Sequence, residues 1–161
     1  MTNIPNQVNP MGVGVAGQIV KGLHSYSMLF HGSAKDDSVC VGCFVQATDT
    51  NGIIKGASGN AIDHKILGVV IKDQYIAAES NTATYKANDL VTYITKGVVY
   101  IETKSPAKEG QFVFLKNDNG TLVFDDTETK ADHTFTGFKV VKGTSNAVNT
   151  KTGFDIIAIM A

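Results

Sequence analysis

From Leu23 onward the apolar residues fall into short runs separated by turn-forming residues. Residues 25–31, 39–47, 65–72, 90–94, 98–103, 111–116, 121–124, 135–142 and 154–160 are rich in β-branched and aromatic side chains. Gly, Asn, Asp and Ser stand between them, the pattern of strands joined by tight turns. No stretch repeats its apolar positions at helical spacing, and only residues 76–86 admit a short helical turn. The expected fold is all-β, a β-barrel-like or β-sandwich domain over residues 23–161.

Two strands are apolar on both faces. Phe112 and Phe114 oppose Val113 and Leu115, while Phe154, Ile156, Ala158 and Met160 oppose Ile157 and Ile159. Such a strand is central in a packed core or also faces a partner, and the pattern is the same in both cases. Two hairpins also resemble each other. Gly42-Cys43-Phe44-Val45 leads to Asn51-Gly52, and 68 positions later Gly110-Gln111-Phe112-Val113 leads to Asn119-Gly120. Ile66-Leu67-Gly68-Val69 and Phe135-Thr136-Gly137-Phe138 recur 69 positions apart. A duplicated β unit explains this spacing. Generic hairpins would also give Asn-Gly turns, so the sequence leaves both explanations open.

Residues 1–22 differ from the rest. They hold Pro5, Pro10, Gly12, Gly14, Gly17 and Gly22, too many breakers for a stable helix. Ile4, Val8, Met11, Val13, Val15, Ile19 and Val20 are more apolar than a solvated tail requires. The segment is expected to be an extended N-terminal arm whose apolar residues contact a partner.

Composition narrows the function. Charged residues are 18% of the chain and the net charge is -1, so no strong field draws in nucleic acid or an acidic membrane. All 14 basic residues are lysine, which leaves no bidentate guanidinium for phosphate. There is no tryptophan, and no basic-aromatic cluster offers a stacking platform. The N-terminus lacks a secretory pattern, and no apolar run is long enough to span a bilayer. A cytoplasmic origin then predicts reduced cysteines.

Candidate chemistry lacks its structural context. Gly12-Val13-Gly14-Val15-Ala16-Gly17 matches a dinucleotide fingerprint literally, yet no strand precedes it and no helix follows. Cys40-Val41-Gly42-Cys43 lies in an apolar run read as strand, where residues i and i+3 point to opposite faces. A zinc site would need two more ligands, and His24, His31, His64 and His133 are scattered singly. Cys40 and Cys43 are therefore read as small buried hydrophobes. Asp125, Asp126, Glu128 and Asp132 could offer oxygen ligands to calcium but lack a regular loop spacing. No nucleophile stands beside a histidine and an acid, so no catalytic residue, cofactor or metal is expected.

One family likeness emerges along residues 30–125. It is carried by Asp37-Ser38-Val39-Cys40-Val41-Gly42, Gly68-Val69-Val70, Asn88-Asp89-Leu90-Val91, Gly97-Val98-Val99 and Glu109-Gly110-Gln111-Phe112-Val113. With the Pro/Gly-containing lead, this resembles the capsid cement (decoration) proteins of tailed phages. The resemblance implies a non-enzymatic virion protein, assembled in the host cytoplasm, that trimerises on the outer capsid surface. It would clamp neighbouring major capsid protein subunits. The polar stretch 125–132 and the long C-terminal part depart from the commonest pattern. A receptor- or glycan-binding β domain, or another phage subunit such as a tail-tube or head-completion protein, is the alternative reading.

Overall fold

The chain's short β-branched runs form ten strands in a computed structural model that describes residues 15–20, 27–72, 84–144 and 155–161. No helix occurs among the described residues. In chain order the strands are β1 Met28–Ala34, β2 Phe44–Ala47, β3 Ile53–Gly56, β4 Ile66–Val70 and β5 Leu90–Lys96. They continue with β6 Val98–Thr103, β7 Phe112–Lys116, β8 Leu122–Asp125, β9 His133–Lys142 and β10 Asp155–Met160. The fold is all-β, as the sequence pattern predicts. Most of the stretch 76–86 lies outside the described residues.

The first five strands close a barrel in the order β1-β3-β2-β4-β5, with β1 antiparallel to β5 and parallel to β3. The last five form a sheet in the order β6-β10-β9-β7-β8. Written from the other end, that sheet is β8-β7-β9-β10-β6, and the barrel is β3-β2-β4-β5-β1. Each strand of one half thus has its counterpart, in sequence order, in the other. The duplication left open by the sequence is present in the topology. One difference separates the halves: β1 meets β3 and closes the barrel, whereas no β6–β8 pairing closes the second sheet. The Asn-Gly hairpins serve both halves, with Gly52 at φ 80° and Gly120 at φ 64°, values a β-carbon disfavours.

Alternation of side chains along these strands builds three apolar clusters. Val45, Ile54, Val70, Val91 and Tyr93 fill the barrel. Phe44, Val69 and Ile94 point out of it and meet Val99, Ile101, Val113, Leu115, Phe138, Val140, Ile157 and Ile159 of the second sheet in the main core. The other face of that sheet packs Val98, Tyr100 and Ala158 around Val20. The two-faced apolar pattern of β10 is therefore that of a central strand, with Ile157 and Ile159 on one side and Ala158 on the other. On β7, Val113 and Leu115 enter the main core. Phe112 and Phe114 instead turn to Phe135, with ring centroids 5.6 Å away in each pair.

Gln46 is fully buried in this apolar setting and uses its whole amide. Its Nε2 donates to Gly56 O (3.2 Å) and Ala61 O (2.9 Å), and its Oε1 accepts from Asp63 N (3.1 Å) and His64 N (3.2 Å). It thereby stitches the loop before β4 to the barrel. Gln46→Leu keeps the volume but strands four backbone groups. The expected loss is about 2–4 kcal/mol, read as a lower urea midpoint at unchanged slope.

Candidate functional site

The root of the N-terminal arm is built into the fold. Val20 N donates to Val98 O (2.9 Å), Tyr100 N to Gln18 O (3.0 Å) and Gly17 N to Tyr100 O (2.8 Å). Residues 17–20 thus continue the second sheet beyond β6, with Ile19 bridged to Val99 in antiparallel fashion. Ile19 packs against the main core, and Val20 is buried in the cluster on the opposite face. A reverse turn, Gln18 N to Val15 O at 2.9 Å, then carries the chain off the β6 ladder.

That turn is wedged against the barrel. Gly17 O accepts from Lys72 N at 2.8 Å, and Gly17 has φ 81°. A β-carbon at Gly17 would stand 2.7 Å from Val41 Cγ1, and one at Gly42 would stand 2.6 Å from Ala16 Cβ. Only two facing glycines let the segments approach this closely.

The segment around Gly42 corrects a sequence expectation. Residues 40–43 are not strand: they turn, with Cys43 N donating to Cys40 O at 3.3 Å and Gly42 at φ 76°. The turn brings the cysteine Cα atoms to 5.5 Å, and the two sulfurs are joined in a disulfide. The expectation of reduced, separately packed cysteines took these residues as extended, where i and i+3 diverge. A positive-φ glycine between them reverses that geometry.

Beside this turn lies a cleft of about 350 Å³. Cys40, Gly42 and Cys43 form one wall, Glu102, Thr103 and Lys104 from the end of β6 another, and Leu122 from the start of β8 a third, with Ala16 at the side. The cleft therefore sits where the two edges of the second sheet approach without pairing. Among the described residues, Glu102 Oε1 is buried with no hydrogen-bond partner, and burial raises the carboxyl's pKa above its ordinary value.

Charged groups elsewhere are engaged structurally. His64 holds Asp63 Oδ1 through Nδ1 (2.7 Å) and Asp49 Oδ1 through Nε2 (2.9 Å), a geometry in which both ring nitrogens donate only as imidazolium. Lys55 adds a second cation to Asp63 at 2.7 Å. These partners raise the His64 pKa above 6.5, first through Asp49 and then through Asp63. Lys55 and then His64 hold Asp63 down to about 2. A raised histidine pKa stabilises the fold fully below the unfolded value of 6.5 and loses that contribution as pH rises through the folded value. The depressed Asp63 acts oppositely, losing its contribution as pH falls below 3.8 toward about 2. The unfolding temperature is therefore expected to fall as pH climbs above 6.5, and His64→Gln is expected to flatten that slope.

The acidic stretch considered for calcium is committed otherwise. Asp125 accepts from Lys130 Nζ (2.7 Å) and from Thr127 N and Oγ1, which hold its carboxyl well below the usual carboxylate range. Among the described residues no group of three or more candidate ligands could hold a metal ion. Of the expected partner-contact residues, Val15 is half-buried at the turn, and Ile19 and Val20 lie in the chain's own packing. Ile4, Val8, Met11 and Val13 lie outside the described residues. Among the described residues, the exposed large apolar side chains are Leu29, Phe30 and Leu90 on the paired strands β1 and β5.

Residues 4–154 match the family described as "Structural cement protein (E217 gp24/Pam3 gp6)". The chain belongs to the phage structural cement protein family. It is a structural protein of the phage particle. The fold agrees with a solved chain from "The capsid of Myoviridae Phage XM1", at a TM-score of 0.61 over 99% of this chain and 96% of that one. Identity there is 10%, so the likeness is one of fold. No curated protein matches the chain. The sequence likeness to cement proteins is thus confirmed at the level of family. The cleft and the glycine-to-glycine clamp were not legible, because Gly17 and Gly42 look like ordinary turn residues until the fold brings them together.

Proposed function

We propose that this cement protein binds the outer surface of the assembled capsid as a homotrimer and holds neighbouring major capsid protein subunits together, without catalysis. Family membership supports the reading, and the anchored arm root carries it. Residues 15–20 are fixed at both ends of a short span, to β6 and to the barrel, so the preceding 14 residues start from a rigid point. Fully extended, that length reaches at most about 48 Å. Ile4, Val8, Met11 and Val13 are the apolar residues that make the partner contact, Val15 stands at the exit, and Ile19 and Val20 anchor the root.

A protein that binds the assembled lattice better than free subunits shifts assembly equilibria toward the shell. Linked contacts from several copies raise the effective concentration of each, so individually weak contacts suffice. Assembly in the host cytoplasm and residence on the finished particle follow from this role. Co-sedimentation tests it: the purified protein pellets with assembled capsids and stays soluble with free major capsid protein. Equal binding to both would remove the basis for cementing.

A further inference from the structure

The two halves of the molecule share a strand plan, and they differ at one seam. In the barrel, Ser33 pairs with Ile53 and Ala34 with Ile54, joining the end of β1 to the start of β3. Their counterparts in the second half are the end of β6 and the start of β8. There, Thr103 and Leu122 both line the cleft, and β6 and β8 do not pair. The chain's own residues 17–20 fill the upper part of this seam along Val98–Tyr100, and among the described residues the ladder goes no further than Tyr100, where the chain turns onto the barrel. Glu102 follows Tyr100 by two residues, so its backbone groups face the same open side. A sheet edge beside an apolar cleft is a site for one more extended strand.

We infer that this seam accepts an extended strand from a second copy of the chain, its residues 11–14, so that each copy closes its neighbour's second sheet. The inference rests on the arm's role as a partner contact and names the surface it meets. In each copy the Val15–Gln18 turn, held by the Lys72–Gly17 hydrogen bond and the Gly42–Ala16 contact, takes Val15 and Ala16 off the β6 ladder. Residues 11–14 extend at most about 14 Å from the fixed Val15, so copies that exchange them sit with their seams side by side. Its sequence also suits the site. Met11-Gly12-Val13-Gly14-Val15 places every side chain on one face of a strand and leaves the other bare. The bare face can lie close to the disulfide-bridged turn, and the apolar face can cover Leu122. Donation from each copy to the next is a head-to-tail contact, which closes into a ring when the rotation between copies allows.

The test uses the full chain without capsids. Sedimentation across a concentration series is expected to show a closed oligomer for the wild type and at least tenfold weaker association for Leu122→Lys. A synthetic peptide of residues 1–14, added in excess to wild type, is expected to dissociate the oligomer and to shift the amide signals of Glu102, Thr103 and Leu122. A monomer at every concentration overturns the inference, as does an oligomer that the peptide leaves intact. Peptide-induced shifts confined to other strands do the same. The peptide arm keeps the test decisive if Leu122→Lys fails to fold. Because no capsid is present, failure of the cementing role would leave these outcomes unchanged.

Discussion

Removing residues 1–14 is expected to leave a folded protein whose occupancy on capsids falls by roughly a hundredfold or more. The barrel closes with strands from Met28 onward, and Ile19 and Val20 already seat the root of the arm in the apolar clusters. The truncation keeps Val15–Val20, so the backbone bonds to Val98 and Tyr100 survive. On the proposed function, what is lost is the partner contact of Ile4, Val8, Met11 and Val13, which turns weak contacts into stable occupancy. The circular dichroism spectrum and unfolding temperature should be close to wild type. Extending the deletion to Val20 should add a stability loss of about 2–4 kcal/mol, because Ile19 and Val20 leave their packed sites and the β6 edge is exposed. Wild-type occupancy by the shorter truncation would contradict the arm's role.

Phe138→Ala is expected to cost about 3–5 kcal/mol, a large share of the roughly 5–15 kcal/mol that holds a domain together. Phe138 on β9 meets Phe44 on β2 edge to face, with centroids 5.6 Å apart and planes at 78°. Both are about 1% exposed, and the pair lies where the barrel's outer face meets the second sheet. Truncation leaves a cavity that β-strands pinned by their ladders cannot collapse to fill. The unfolding temperature should drop by roughly 10 °C or more. A shift within a few degrees would mean that barrel and sheet do not depend on this contact.

The extent to which the sequence spoke for the fold varied with the physical range of each signal. Alternation and turn residues are local, so β4, β5, β6, β7 and β10 fall close to their expected positions. The first strand lies at Met28–Ala34, three residues later than its apolar run suggests, because pairing with β5 sets its register. β3 is only four residues long and ends in Lys55-Gly56, too weak a pattern to stand apart from its hairpin turn. Gln46 carried a readable signal, a lone amide in an apolar strand, although its four partners come from residues up to 18 positions away. Burial of Glu102 depended on tertiary approach, and the bond between Cys40 and Cys43 on a local turn at Gly42 that the apolar run concealed. The internal repeat was legible as spacing, but its broken member, the unpaired seam between β6 and β8, shows only in the topology.

The central claim is that the protein holds the shell together, and heating particles made with and without it tests this directly. Nuclease-accessible genome is measured as temperature rises. Particles lacking the protein should release their genome at a clearly lower temperature, and adding purified protein back to intact particles should restore the wild-type value. Identical release temperatures, with the protein bound at full occupancy, would contradict cementing.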